Sequence, residues 1–210
     1  MSANMGKEIL DEIKRLAAIA DIGLLYSTAG YDRERYLELK EMSVRLLSRI
    51  SDHPIEVVKE FFPLVKEYPT AKVDIRGLLL SPDKKILLVK ESSDRRWSLP
   101  GGWADIGHSP REVVVKEFKE ETGLDIIPRA LLAVFDKRLH PHPPQTEYVY
   151  KMVIHCEATS STLIKGFDIL DAQYFEVDNL PPLSENRILK SQIEFVYKKI
   201  TENNLTAHFD

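Results

Sequence analysis

Apolar and polar positions change their rhythm once along the chain, near residues 66–70. Before that point, Ile9, Leu10, Ile13, Leu16, Ala17, Ile19, Ala20, Ile22 and Leu24 recur at helical steps and predict a helix over Glu8–Tyr26, with Gly30 as its stop. Tyr36, Leu37, Leu39, Met42, Leu46 and Leu47 predict a second helix over Asp32–Arg49, for which Asp32 offers an N-cap. The two make a helical hairpin, and a short third helix over Ile55–Phe62 follows His53-Pro54 and closes at Pro63. Beyond Tyr68-Pro69 the rhythm is that of strands. Val73, Ile75, Leu78 and Leu80, the turn residues Ser81-Pro82-Asp83, and the run Ile86–Val89 predict a β-hairpin. Further strands are expected at Ile126–Phe135, Tyr148–Glu157 and Ala172–Val177, and a last helix at Glu185–Ile200. His140-Pro141-His142-Pro143-Pro144 is too rich in proline for anything but a loop between two strands. The fold class is α+β, with a small all-helical domain over residues 1–66 and a second domain over residues 70–210.

A chain of 210 residues accommodates one standard domain with a smaller companion. Its 43% hydrophobic and 30% charged residues fit a folded soluble protein and fit disordered or membrane classes poorly. Apolar runs such as Leu78–Leu80 and Ile86–Val89 fall far short of the roughly 20 residues that cross a bilayer as a helix. Glu8, Asp11 and Glu12 precede the first apolar cluster, the reverse of the basic-then-apolar order of an export signal. A single cysteine, Cys156, excludes an intrachain disulfide and suits a reducing compartment. The expected setting is the cytoplasm, with no membrane partner. A net charge of −4 argues against a general electrostatic grip on nucleic acid, while a local basic patch could still hold a phosphate-bearing ligand.

Candidate chemistry is concentrated between Trp97 and Leu124. Ser109 and Glu112 have the spacing of a capping box, Pro110 stands at the first helical position and Gly123 at the C-terminal cap, so a helix over Pro110–Thr122 is predicted. On it Val114, Val115 and Phe118 share a face, and Glu117, Glu120 and Glu121 gather on an adjacent one. Each like-charged pair at such spacing costs about 0.2 to 0.5 kcal/mol on an exposed helix, so the cluster needs either solvent or a cation. A solvated helix face is the ordinary explanation of such glutamates. A hard divalent cation is the alternative, and Mg²⁺ is satisfied by a few carboxylates, waters and substrate phosphates.

The stretch resembles the Nudix box. Gly102, Glu117, Phe118, Glu120, Glu121, Gly123 and Leu124 match its register, the lead-in Leu99-Pro100-Gly101-Gly102 also looks like the family's, and the resemblance covers roughly Val73–Ile200. It implies a Nudix α/β/α sandwich with a mixed β-sheet. It also implies hydrolysis of the pyrophosphate bond of a nucleoside diphosphate joined to another moiety, with Mg²⁺ or Mn²⁺ as cofactor. Glu117, Glu120, Glu121 and the Gly102 carbonyl would hold the metal, with Glu120, Glu121 and Glu147 as catalytic groups. Glu147 lies beside the proline-rich loop, and a solvated strand-edge carboxylate is its more ordinary explanation. Trp103, Lys116 and His142 are the expected substrate contacts; Trp97, Phe135, Tyr148 and Tyr150 are further aromatics that could stack on a base or belong to the core.

Two positions depart from the family pattern: His108 stands in place of a glutamate and Lys116 in place of an arginine. In the family those two residues form an ion pair that braces the loop on the helix, which histidine with lysine cannot reproduce, so the brace must differ here. Lys116 could pair with Glu112 or Glu120 on its own helix, and His108 is either a plain loop residue or a proton-transfer group. A helical extension ahead of such a domain resembles bacterial CDP-choline and ADP-ribose pyrophosphatases, with CDP-choline first, then ADP-ribose and nucleotide sugars. By the same analogy the chain is a homodimer. Two other readings stay open: a catalytically weakened ligand-sensing module, and an enzyme acting on RNA ends, for which Arg95, Arg96, Lys137, Arg138 and Lys151 supply positive charge.

Overall fold

The structure, a computed structural model, describes residues 3–64 and 67–210. It divides into two compact units, Met1–Ala71 with Pro144–Glu147, and Lys72–Pro143 with Tyr148–Asp210. Lys66, where the expected boundary region begins, lies outside the described residues.

The first unit is helical: α1 covers Ala3–Tyr26, α2 Gly30–Ser51 and α3 Ile55–Phe61. Ile13, Val44, Leu47 and Val58 form its core, with Ile9, Leu10, Ile55 and Phe62 packed around them. Asp32 is not the cap of α2. The helix begins at Gly30 behind Ala29, and Asp32 lies in the first turn, where a negative charge still favours the helix N-terminus. An ion pair between Lys40 and Asp21 at 2.5 Å, both nearly buried, ties α2 to α1. Residues 144–147 belong to this unit because the Lys14 ammonium donates to the carbonyls of Gln145 (3.0 Å) and Glu147 (3.1 Å).

The second unit is the α/β/α sandwich. Its strands are β1 (Lys72–Leu79), β2 (Ile86–Glu91), β3 (Trp97–Ser98), β4 (Gly101–Trp103), β5 (Ile126–Asp136), β6 (Val149–Ala158), β7 (Ile169–Phe175) and β8 (His208–Phe209). Its helices are α4 (Pro110–Thr122) and α5 (Lys190–Thr201). A mixed sheet runs in the order β4-β1-β6-β5-β8, and a second sheet in the order β3-β2-β7. The expected β1–β2 hairpin survives only at its tip, in the bridge between Leu80 and Ile86; beyond it the strands part into different sheets. Alternation along β1 explains the layering. Ile75 and Leu79 join Leu87, Val114, Phe118 and Ile154 under α4. Leu78 joins Ile86, Leu88, Leu132, Val153, Ile188 and Ile193 under α5.

The last helix is shorter than expected at its start. Ser184 accepts from the backbone N–H groups of Arg187 and Ile188, so residues 184–188 form turns, and extended Leu189 precedes α5. The strand expected at Ala172–Val177 begins earlier, at Ile169, and Val177 opens a short 3₁₀ turn. No helix of the described residues is long and apolar enough to cross a membrane.

Candidate active site

The α4 helix is specified locally. The Ser109 side chain accepts from the Glu112 N–H at 3.3 Å, and Glu112 returns the bond to the Ser109 N–H at 2.7 Å, while Gly123 closes the helix with φ of 71°, where a side chain would be strained. Val113, Val114, Phe118, Glu121 and Thr122 form its buried side. Val113 thus replaces the expected Val115, which is exposed, because the buried stripe is turned by about one residue.

That rotation separates the three glutamates by depth. Glu121 is buried and its Oε2 accepts from the Gly101 N–H at 2.9 Å. Burial pushes its carboxyl up to about 8, against the pull of the nearby Arg76 guanidinium and the Gly101 bond. Glu117 is half-buried, and burial raises it too, with Arg76 opposing. Glu120 is exposed at the outer edge of the cluster.

Register puts strand β4 against this cluster. Ile75 pairs with Gly102 and Arg76 with Gly101, so Gly102 faces the α4 side of the sheet. A Cβ on Gly102 would lie 2.6 Å from Glu117 Oε1, so glycine is what lets strand backbone and carboxylate approach each other. Gly101, with φ of 140°, makes an even closer approach, since a Cβ there would meet the Ile75 carbonyl at 2.0 Å.

Behind the cluster lies a buried set of charges; of these the sequence reading singled out only Lys151, as positive charge for an RNA end, and its complete burial takes it off any such surface. Arg76 Nε donates to Asp74 Oδ1 at 2.9 Å and Nη1 to the Leu99 carbonyl at 3.1 Å, fixing the turn that leads to Gly101. Lys151 on β6 pairs with Asp74 as well. Burial alone would raise the Asp74 carboxyl, but Arg76 and Lys151 overcome it and hold Asp74 below the usual carboxylate range. Burial lowers Lys151 to about 8, with Asp74 opposing. Glu91 extends the set, accepting from Ser98 Oγ at 2.9 Å and pairing with Arg187 Nε at 3.0 Å. The available signal was Asp74-Ile75-Arg76, two opposite charges alternating inside an apolar strand.

In the loop before α4 stands Asp105. Its carboxylate meets Lys116 Nζ at 2.9 Å, so Lys116 pairs with neither Glu112, which is engaged in the cap, nor directly with Glu120. That bond raises Lys116, with Glu120 adding to it, and contact with a substrate remains an expectation for this side chain. His142, an expected substrate contact, does not lie on an open surface. It is buried, with Nδ1 2.6 Å from the Glu185 carbonyl and Nε2 without a partner among the described atoms. Burial, with Lys137, Lys151 and His140 adding to it, lowers the ring to about 4, so at neutral pH it would offer a phosphate no charge.

Trp103 is half exposed with Lys72 Nζ 5.5 Å from its ring centre, and Tyr150 is also open to solvent, whereas Trp97 and Phe135 are core residues. Glu147 precedes β6 rather than opening it, and its Oε2 accepts from Thr146 Oγ1 at 2.8 Å. It belongs to the helical unit, while Gly102, Glu117, Glu120 and Glu121 belong to the sandwich.

The donor set of Glu117, Glu120 and Glu121 is all carboxylate oxygen, the Gly102 backbone is held beside Glu117, and these residues fit a hard divalent cation of the Mg²⁺ or Mn²⁺ kind. The described residues contain no group of three or more His, Cys, Asp or Glu already gathered around one point. An open set of this kind suits a cation that keeps waters and shares itself with phosphates better than one that needs a closed cage.

Residues 71–196 match the NUDIX domain family and residues 7–62 match a family described as UDP-X-like, N-terminal oligomerisation domain. The chain is 42% identical over 201 residues to a putative ADP-ribose pyrophosphatase, YjhB, of Bacillus subtilis, covering 96% of each protein. It is 32% identical over 133 residues to an ADP-ribose pyrophosphatase of Methanocaldococcus jannaschii, covering 61% of this chain and 75% of that one. A crystal structure of a UDP-X diphosphatase superposes with a TM-score of 0.62 at 33% identity, covering 98% of this chain and 99% of the other.

Proposed function

This chain belongs to the Nudix family and is a Nudix pyrophosphohydrolase, and from that premise we propose that it hydrolyses the pyrophosphate bond of a nucleoside diphosphate joined to a second moiety, with Mg²⁺ or Mn²⁺. The observation that carries the reading is the approach of Gly102 to Glu117 beside buried Glu121, which brings two of the three α4 carboxylates against β4. ADP-ribose heads the proposed substrates because the relative matched along nearly the whole chain bears that name; UDP-linked compounds follow from the structural neighbour, and CDP-choline from the sequence resemblance.

Glu117 and Glu121, anchored by the packing of α4 and by the Gly101 N–H, would supply fixed metal ligands together with the Gly102 carbonyl. Glu120, exposed on α4, would complete the set and would take a proton from an attacking water. When bound, the cation supplies charge neutralisation on the pyrophosphate and a more acidic water. Arg76 fixes the Leu99–Gly101 turn from behind, so that the ligand geometry is set before substrate arrives. Trp103, half exposed and next to Gly102 in β4, is the proposed stacking surface for a base. Glu147 is kept as a proposed further base, supplied from the segment before β6. The homodimer is likewise proposed, through the helical unit, where Leu16, Ile19, Met42, Leu46 and Phe61 are exposed.

Incubation with ADP-ribose, CDP-choline, UDP-sugars and nucleoside triphosphates, each with Mg²⁺ or Mn²⁺ and then with chelator, tests the reading. Nucleoside monophosphate from the diphosphate-linked compounds, abolished by chelator, is the expected product. Cleavage of triphosphates alone, or turnover indifferent to chelator, would contradict it.

A further inference from the structure

The segment from Asp105 to Glu112 is exposed at every residue, Ile106 completely, so no burial holds it in place. Yet it joins β4, which carries Gly102, to α4, which carries the glutamates. At its start the Ala104 N–H donates to the Val73 carbonyl at 2.9 Å, and at its end stands the Ser109–Glu112 capping box. Between them lies a turn in which the His108 N–H donates to the Asp105 carbonyl at 3.2 Å. A side-chain tie runs from this turn to the middle of the helix, Asp105 Oδ2 to Lys116 Nζ at 2.9 Å, between residues 11 positions apart. Lys116 immediately precedes Glu117.

We propose that the Asp105–Lys116 pair is a positioning brace, which holds the exposed loop against α4 and thereby keeps Glu117 and Gly102 at the spacing a divalent cation needs. The inference rests on the metal-dependent reading above. Asp105 and Lys116 act through the loop and helix, and the cation is not touched by either. The sign of the effect distinguishes this from simple electrostatics. Removing a positive charge beside three carboxylates should tighten cation binding if charge alone matters. It should weaken binding if Lys116 works by fixing the loop.

The test is the affinity of the full chain for Mn²⁺ alone, read from the free-ion signal in electron paramagnetic resonance, without substrate or turnover. Wild type is compared with Lys116→Met, Lys116→Arg, the exchange Asp105→Lys/Lys116→Asp, and Glu121→Gln. Because an exposed ion pair is a weak restraint, Lys116→Met is expected to bind Mn²⁺ about threefold to fivefold more weakly, with Lys116→Arg and the exchange within about twofold of wild type. Binding by Lys116→Met that is unchanged or tighter, or an exchange no better than Lys116→Met, would overturn the brace while leaving the metal reading intact. Wild type that binds Mn²⁺ no better than Glu121→Gln would overturn the metal reading, and the brace with it.

Discussion

Glu121 is a carboxylic acid in a setting that favours its neutral form: burial pushes it up to about 8, although the Gly101 N–H and Arg76 both favour the anion. Two consequences follow at this residue. Cation binding at pH 7 should displace close to one proton, since the ligand form is the carboxylate. Calorimetry of Mn²⁺ binding in buffers of different ionisation enthalpy checks this, and Glu121→Gln should lose the release; equal heats in all buffers for wild type would contradict it. The metal-free protein should also lose stability as pH rises. Its folded-state value lies above the ordinary 4.5, so the stabilisation is full below about 4.5 and is lost as pH climbs through about 8, a slope that Glu121→Gln should flatten. The helix that carries the three glutamates was legible in the sequence because α4 is periodic and capped. The different depths of Glu117, Glu120 and Glu121 were not, since a rotation of one residue in the buried stripe decides them and periodicity does not resolve it. The burial of His142 was equally hidden, because it depends on the Glu185 carbonyl, distant in sequence.

At the scale of elements, what was legible was local. The limits of α4 came from Ser109, Glu112 and Gly123, whose chemistry acts within a few residues. The β1–β2 hairpin was only half legible. The turn residues indicate that two strands meet at Leu80 and Ile86, but sheet membership is settled by β6 and β7, the strands each goes on to pair with. The start of α5 was misplaced because residues 184–188 satisfy their backbone groups by turns anchored on Ser184, whose hydroxyl bonds Asp94 at 2.5 Å. The approach of β4 to α4 gives a further prediction. Gly102→Ala should fold with a stability change below about 1 kcal/mol, because the clashing atom is the end of a flexible side chain. It should nonetheless cost about tenfold or more in metal-dependent turnover, because Glu117 must move. Comparing its thermal midpoint and kcat with those of wild type checks this; an unchanged kcat would show that the Gly102–Glu117 spacing is immaterial.

At the scale of the whole molecule, the chain joins a helical unit, matched by a family of oligomerisation domains, to a Nudix sandwich. Neither a partner nor a nucleobase was legible, because specificity needs contacts that no local pattern encodes. A homodimer through the helical unit would appear in light scattering as about twice 24.1 kDa at micromolar concentration, and a monomer mass would contradict it. The most direct measurement is phosphate release, with a coupled phosphatase, from ADP-ribose in Mg²⁺ and in Mn²⁺ by wild type and Glu121→Gln. A metal-dependent pyrophosphohydrolase built on α4 would give turnover in wild type and a loss of about a hundredfold or more in Glu121→Gln, whose fold is intact. Equal turnover by the two proteins would contradict the site. No turnover of ADP-ribose, CDP-choline or a UDP-sugar by a folded wild type would contradict the proposed reaction.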